Sequence, residues 1–431
     1  MAQVVDARLT VDGTTRELGI ERATVGNDGV SVATLMRDTG LVTIDPGFMN
    51  TASCESAITY IDGDAGILRY RGYPIEQLAK DSTFLEVAYL LIYGELPTQD
   101  QLTALANRVA RHMSVHDGIK AFLEAFPRDA HPMAVLAGAT SALSTFYPDS
   151  VGRDPEQIEL ASVLLLAKSA TVIAYLQRRA AGEDLIEPRR KGDYVEEFMR
   201  LAFAPASGEL DLDPTVAKAI DLLLILHGDH EQNCSTSTVR IVGSSQANIY
   251  ASISAGIGAL SGALHGGANE AALRMFDGIK ESGDTVEQFV AKVKDKAEGA
   301  QLMGFGHRVY KSYDPRGAVV KTVADEVLAS LGGDNETFVM AKRLEEIALS
   351  DEYFIERKLY PNVDFYTGLL YSAMGFPTKM FTPLFALGRM PGWIAHYREM
   401  LNDPRTKIGR PRQIYVGEVE RNYVPLDARS A

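Results

Sequence analysis

Only two cysteines, Cys54 and Cys234, occur in 431 residues, which excludes a disulfide framework and any cysteine cluster with metal-type spacing. Both read as small buried thiols in a reducing compartment. Positive charge is also scarce. Lys and Arg total 43 against 57 Asp and Glu, and the formal net charge of −14 argues against a nucleic-acid or anionic-membrane partner. Long apolar runs are lacking: the strongest, Leu222 to Leu226, is too short to cross a bilayer. Met1 to Gly13 carries charges where a signal peptide would be apolar. These absences point to a cytoplasmic protein. Internal repeats and low-complexity linkers are missing too, so a second domain is expected as an insertion between helices.

Core material is plentiful, with 46% hydrophobic and 23% charged residues, and the length exceeds what one core usually organises. The first seventy residues differ from the rest. Leu9 to Leu18 alternates around Asp12-Gly13, the pattern of a hairpin. Ala57 to Arg71 alternates again around Asp62-Gly-Asp-Ala-Gly66, which looks like a calcium loop only superficially. Ile67 holds the required glycine position and Tyr73 the place of the bidentate acid, so a plain turn is expected.

From Thr98 onward the periodicity is helical. Helices are expected after Pro97-Thr98, from Asp154-Pro155 to a stop at Gly182, and from Asp213-Pro214 to His227. Asp284-x-x-Glu287 reads as a capping box. Further patterns cover 318–331, 338–349 and 381–400. The stretch from Ile249 to Ala263 is built from small residues and reads as a central helix buried on all sides. Gly266-Gly267 and Gly375 are the expected hinge points.

Chemistry concentrates in short polar stretches flanked by glycine. In Leu226-His-Gly-Asp-His-Glu-Gln-Asn233, His227 and His230 lie about one turn apart, so a metal site is one reading. The His-Glu-x-x-His spacing and a third ligand are missing, however. His227 continues the apolar face as a structural residue, whereas His230 ends it and can donate to an anion. In Leu264-His-Gly-Gly-Ala-Asn-Glu270, two glycines let His265 approach a ligand, and Asn269 is placed to cap the next helix. Met303-Gly-Phe-Gly-His-Arg-Val-Tyr-Lys311 with Asp314-Pro-Arg316 gathers His307, Arg308, Lys311 and Arg316 beside a helix N-terminus. That is either an anion site or a solvated basic loop. Asp364, among Val363, Phe365 and Tyr366, is a general base with a raised pKa or simply a helix N-terminal acid. Arg389 and Arg410 are candidate carboxylate clamps.

The runs His-Gly-Asp-His-Glu-Gln-Asn, Leu-His-Gly-Gly-Ala-Asn, Gly-Phe-Gly-His-Arg-Val-Tyr, Asp-Pro-Arg, Pro-Asn-Val-Asp-Phe-Tyr and Gly-Arg-Pro-Arg follow one another over some 180 positions. In order and spacing they resemble citrate synthase, and the N-terminal β segment resembles the longer bacterial form. The resemblance implies a mainly α, two-domain helical fold with a small N-terminal β segment. Residues 1–70 would form the β-rich part of a large domain that continues through 71–267 and 379–431, and 268–378 a small domain closing over the site. It implies an acyltransferase that condenses acetyl-CoA with oxaloacetate and water to give citrate and CoA, the entry step of the tricarboxylic acid cycle.

By the same resemblance His265 hydrogen-bonds the thioester carbonyl, Asp364 removes the methyl proton and His307 polarises the ketone. His230, Arg316 and Arg389 bind oxaloacetate, and Arg410 comes from a neighbouring subunit, which implies at least a homodimer and leaves a hexamer open. Met303, Gly304, Phe305, Gly306 and Lys311 resemble the CoA-binding segment. No permanently bound cofactor and no metal are implied; acetyl-CoA is a co-substrate. A 2-methylcitrate synthase using propionyl-CoA is the nearest alternative, because one methylene is worth only about 1–3 kcal/mol of discrimination. A non-catalytic CoA-binding protein and a metal hydrolase are more distant ones. Arg111, His112, Tyr147 and Lys168 resemble parts of an NADH site, but Leu164 stands where an arginine is expected and the associated cysteine is missing. Weak or no NADH inhibition is therefore expected.

Overall fold

The Asp12-Gly13 hairpin forms as its sequence dictates. In a computed structural model, which describes residues 6–306, 309–310, 314–331 and 336–429, Ala7–Val11 pairs antiparallel with Thr14–Leu18. Both turn residues take positive φ, 49° and 77°, the geometry that matches strand twist in a two-residue loop. With the short Ile20–Glu21/Gly29–Val30 ladder, this hairpin belongs to one compact unit that ends at Glu55 and resumes at Ile408. The returning segment, 408–429, is exposed along its length.

Ser56–Lys407 forms the second unit. It opens with a three-stranded antiparallel sheet, Thr59–Asp62, Ile67–Tyr70 and Tyr73–Pro74. The turn at Asp62 is a plain one, whose Oδ1 accepts the amides of Asp64 (3.1 Å) and Ala65 (2.9 Å). Beyond it the unit is mainly α. Helix starts follow their caps: Thr98 with Gln101, Asp154 before Pro155–Ala181, and Asp213 before Pro214–Leu226. Gly182, at φ 76°, stops the longest helix.

Two helices carry the core. Pro155–Ala181 is buried without interruption from Ala161 to Arg178. It is long and apolar enough to cross a membrane by length and composition, contrary to the expectation that no such segment exists. Protein covers it instead: its most apolar 18-residue window is 89% buried. Phe381–Asn402 packs against Phe84–Tyr93, Cys234–Ser244, Pro155–Ala181 and Pro214–Leu226, and it keeps Pro391 inside.

Three local expectations are corrected. The small-residue helix spans Ile249–Leu260 and is not buried on all sides: Ala251, Ser254, Ala255 and Ala259 are half-buried and Gly258 is exposed. Its buried face lies on Pro132–Phe146 and Cys234–Ser244, and small residues leave the opposite face flat. The capping box at Val286–Lys294 is Thr285 with Gln288, one position later than expected, because Asp284 is held by Lys292 and Ser282. Asn269 does not cap its helix: Ala268–Ser282 begins after Gly267, and the Asn269 Oδ1 accepts the adjacent Glu270 amide at 2.7 Å.

Candidate active site

The chain leaving Pro214–Leu226 turns sharply under the Tyr70 hydroxyl, which donates to the carbonyls of Ile225 (3.2 Å) and Asp229 (3.1 Å). His227 is fully buried there, with Nδ1–H donated to the Leu223 carbonyl at 2.6 Å. Burial pushes its pKa down to about 3, and Arg316 and Arg389 add to the effect. The turn lies against Phe381–Asn402 at Gly392, where a Cβ would stand 2.3 Å from the Gly228 carbonyl oxygen; only glycine permits that approach. Asn233 then caps Cys234–Ser244 and ties back to the His230 carbonyl at 3.2 Å. Cys234, expected buried, is exposed as the first residue of that helix.

That helix start fixes His265. The Ser235 amide, which can only donate, faces His265 Nε2 at 3.3 Å, and the Ser235 hydroxyl lies 2.9 Å from the same nitrogen. Nε2 is thus the acceptor, and the imidazole proton is assigned to Nδ1. Trp393 Nε1 donates to the Ser235 hydroxyl at 3.2 Å and holds the arrangement from the core. Burial, reinforced by the Arg389 charge, lowers His265 to about 4, so the ring is a neutral donor at physiological pH.

Asp364 stands at the start of Val363–Ala373, whose cap Asn362 accepts the Asp364 amide at 3.0 Å. It keeps some accessible surface, yet loss of hydration dominates and pushes it up to about 6. Arg316 pulls the other way, Asp314 raises it, and Arg389 lowers it. Arg316 is buried in a two-point pair with Asp314, Nε to Oδ1 at 3.1 Å and Nη2 to Oδ2 at 3.0 Å. Asp314 also caps Pro315–Ser330 and accepts the Val363 amide at 3.2 Å, so one carboxylate joins the arginine to the helix bearing Asp364. His230 lies 3.2 Å from the Tyr310 hydroxyl, and the Arg316 guanidinium stands over the Tyr310 ring at 5.9 Å.

Arg389 completes the cluster. It is buried, donates Nε–H to the His227 carbonyl at 2.6 Å, and has no partner for Nη1 among the described residues. Burial lowers its pKa. An unpaired guanidinium donor in the interior is costly unless an anion completes it.

The segment 303–306 meets the run before Asp364. Gly306 N–H donates to the Tyr360 carbonyl (2.8 Å), Asn362 N–H to the Gly304 carbonyl (3.0 Å), and the Asn362 side chain to the Gly306 carbonyl (2.8 Å). Gly304 and Gly306 adopt φ of 78° and 71°, and the Phe305 ring rests on Phe365 with centroids 4.9 Å apart.

His230, His265, Arg316, Arg389 and Asp364 are therefore brought together. Arg410 is exposed within the other unit. His307 and Lys311 lie outside the described residues. Among the described residues, no three His, Cys, Asp or Glu side chains gather in a way that could hold a metal ion. Ser235, Asp314, Tyr310 and Trp393 escaped the sequence reading. Only Asp314 left a signal, as an Asp-Pro helix start; the others are defined by contacts between distant segments.

The sequence profile of the family "Citrate synthase, C-terminal domain" matches residues 47–412. Citrate synthase 1 of Mycobacterium tuberculosis is 58% identical over 424 residues, covering 98% of each chain. The citrate synthase of Corynebacterium glutamicum is 54% identical over 415 residues, 96% of this chain and 95% of its own. Among solved structures, citrate synthase from Pyrobaculum aerophilum superposes with a TM-score of 0.82 at 33% identity, over 100% of this chain and 99% of that one. The ternary complex of the Thermoplasma acidophilum citrate synthase with carboxymethyl coenzyme A and oxaloacetate also gives 0.82, at 31% identity, over 90% of this chain and 100% of that one.

Proposed function

This chain belongs to the citrate synthase family and is an enzyme with citrate synthase activity, and we propose that it works on acetyl-CoA and oxaloacetate through His265, His307 and Asp364. The observation that carries the reading is the conjunction of a neutral His265, a carboxylate raised to about 6, and a buried arginine with an unpaired donor. A thioester methyl is too weak an acid to give a free carbanion. Asp364 takes its proton while His265 Nδ1–H donates a hydrogen bond to the carbonyl oxygen, giving an enol-like intermediate whose oxygen shares that proton. The enol carbon attacks the oxaloacetate ketone, polarised by His307, and the developing alkoxide is stabilised by fixed donors. His230, Arg316 and Arg389 bind the dicarboxylate, with the Arg389 Nη1 supplying a ready donor. Hydrolysis of the citryl thioester then releases citrate and CoA. No metal or permanently bound cofactor takes part.

The solved Thermoplasma acidophilum complex, with a coenzyme A derivative and oxaloacetate, supports this substrate pair. Met303, Gly304, Phe305, Gly306 and Lys311 bind CoA. The hydrogen bonds from 303–306 to the run before Asp364 support that assignment, since they couple the loop's position to the base. The small domain, 268–378, closes over the site and excludes water during condensation. At least a homodimer forms, with Arg410 completing the neighbour's site, in the cytoplasm. The flat, half-exposed face of Ile249–Leu260 is suited to a second copy. NADH inhibits weakly or not at all. Lys168 is committed to the carbonyls of His112 (2.9 Å) and Ser114 (2.7 Å), with its ammonium 4.1 Å from the Tyr147 ring centre, and it is buried.

The test mixes protein and oxaloacetate with acetyl-CoA or propionyl-CoA and follows free CoA thiol. Faster release from acetyl-CoA is expected. A preference for propionyl-CoA would replace the substrate assignment.

A further inference from the structure

Most buried hydroxyls in this fold are spent; Ser169 is one exception among the described residues. Tyr175 donates to the Ile186 carbonyl (3.0 Å), Tyr194 to Leu166 (2.9 Å) and Tyr397 to Ala247 (2.8 Å), and Tyr250 pairs with Ser150 (2.7 Å). Helical threonines return their hydroxyls to the preceding turn, as Thr238 does to Cys234 and Thr322 to Val319. Two residues of Val363–Ala373 break both habits. Thr367 and Tyr371 are each 0% exposed, and among the described residues neither hydroxyl has a hydrogen-bond partner. A buried hydroxyl left in that state costs about 1–3 kcal/mol and calls for an explanation.

Their placement supplies one. Thr367 and Tyr371 follow Asp364 at i+3 and i+7, so all three share one face of the helix. Helical side chains lean toward the N-terminus, which carries the Tyr371 hydroxyl back toward the carboxylate. The Tyr371 ring is held by Phe376 and Phe381, with centroids 6.1 and 5.7 Å away, so its hydroxyl is fixed. Asp364 and Tyr371 are close enough for the carboxylate charge to raise the phenol's pKa further, after burial. Neither hydroxyl bonds the carboxylate directly; a bridging water is the chemistry that would link them.

We propose that Thr367 and Tyr371 form a buried hydroxyl ladder behind Asp364, positioning residues that hold the carboxylate and stabilise its charged form. This rests on the reading of Asp364 as the base. The other charges facing Asp364 are Arg316 from Pro315–Ser330, Asp314 at the cap of that helix, and Arg389 from Phe381–Asn402; the ladder adds uncharged donors from its own helix. Removing such a donor raises the base's pKa.

The experiment measures kcat/KM for acetyl-CoA against pH at saturating oxaloacetate. Tyr371→Phe is expected to move the acid limb up by about half a unit or more, Thr367→Val to move it in the same direction, and Thr367→Ser to keep it in place. Each change removes or keeps one hydroxyl at nearly constant volume, so thermal unfolding serves as the control. Limbs unmoved in both Tyr371→Phe and Thr367→Val, even with raised thermal stability, would overturn the ladder and leave two idle core hydroxyls. Asp364→Asn separates the levels: full turnover there removes the base reading, whereas lost turnover with unmoved limbs removes the ladder alone.

Discussion

Arg389 shows how far one side chain can organise a site. Its charge acts on His265, His227 and Asp364 at once, and its Nη1 is unpaired in the interior. Arg389→Gln removes that donor and charge together. The oxaloacetate KM is expected to rise about tenfold or more, with a much smaller change for acetyl-CoA, as initial-rate kinetics would show. The two perturbed titrations also separate activity from stability. Asp364, raised to about 6, contributes stability present below its unfolded value that is lost as pH rises through 6. His265, lowered to about 4, contributes stability present above 6.5 that is lost as pH falls through 4. The two trends oppose each other between pH 4 and 6. With Asp364 as the proposed base, activity nevertheless has one direction, falling as Asp364 gains its proton. Turnover is therefore expected to decline below about pH 6 while circular dichroism still reports a folded chain; coincident loss of both would contradict this.

At the scale of the element, two glycine substitutions make opposite predictions. Gly392→Ala drives a methyl to 2.3 Å from the Gly228 carbonyl oxygen, displacing the turn that carries His227 and His230; a loss of about 1–3 kcal/mol in chemical denaturation is expected. Gly278→Ala meets nothing within 4 Å on an exposed helical position and should gain about 0.5–1 kcal/mol. Helix starts such as Thr98, Asp154 and Asp213 were legible because their caps are local. The Thr285 box lies one position from the expected one because Asp284–Glu287 and Thr285–Gln288 satisfy the same pattern, and only the Lys292 contact decides. His265 and Asp364 stood out in polar, glycine-flanked or Pro-Asn runs. The Ser235 amide that sets the His265 tautomer and the Asp314 link to Val363 join segments 30 and 49 residues apart, and no local pattern reports such pairs.

At the scale of the whole molecule, the proposed dimer shares its sites. Asp364→Asn and Arg410→Gln chains, each nearly inactive alone, should regain about a quarter of normal activity after random subunit exchange, since half the dimers are hybrids with one intact site. No recovery would place Arg410 outside the neighbour's site. Titration calorimetry of oxaloacetate with Asp364→Asn, paired with its turnover of acetyl-CoA, tests the proposed role of Asp364 as the base. Near-normal oxaloacetate affinity with turnover reduced about a thousandfold or more is predicted. Near-normal turnover would contradict the account and remove Asp364 from the chemistry.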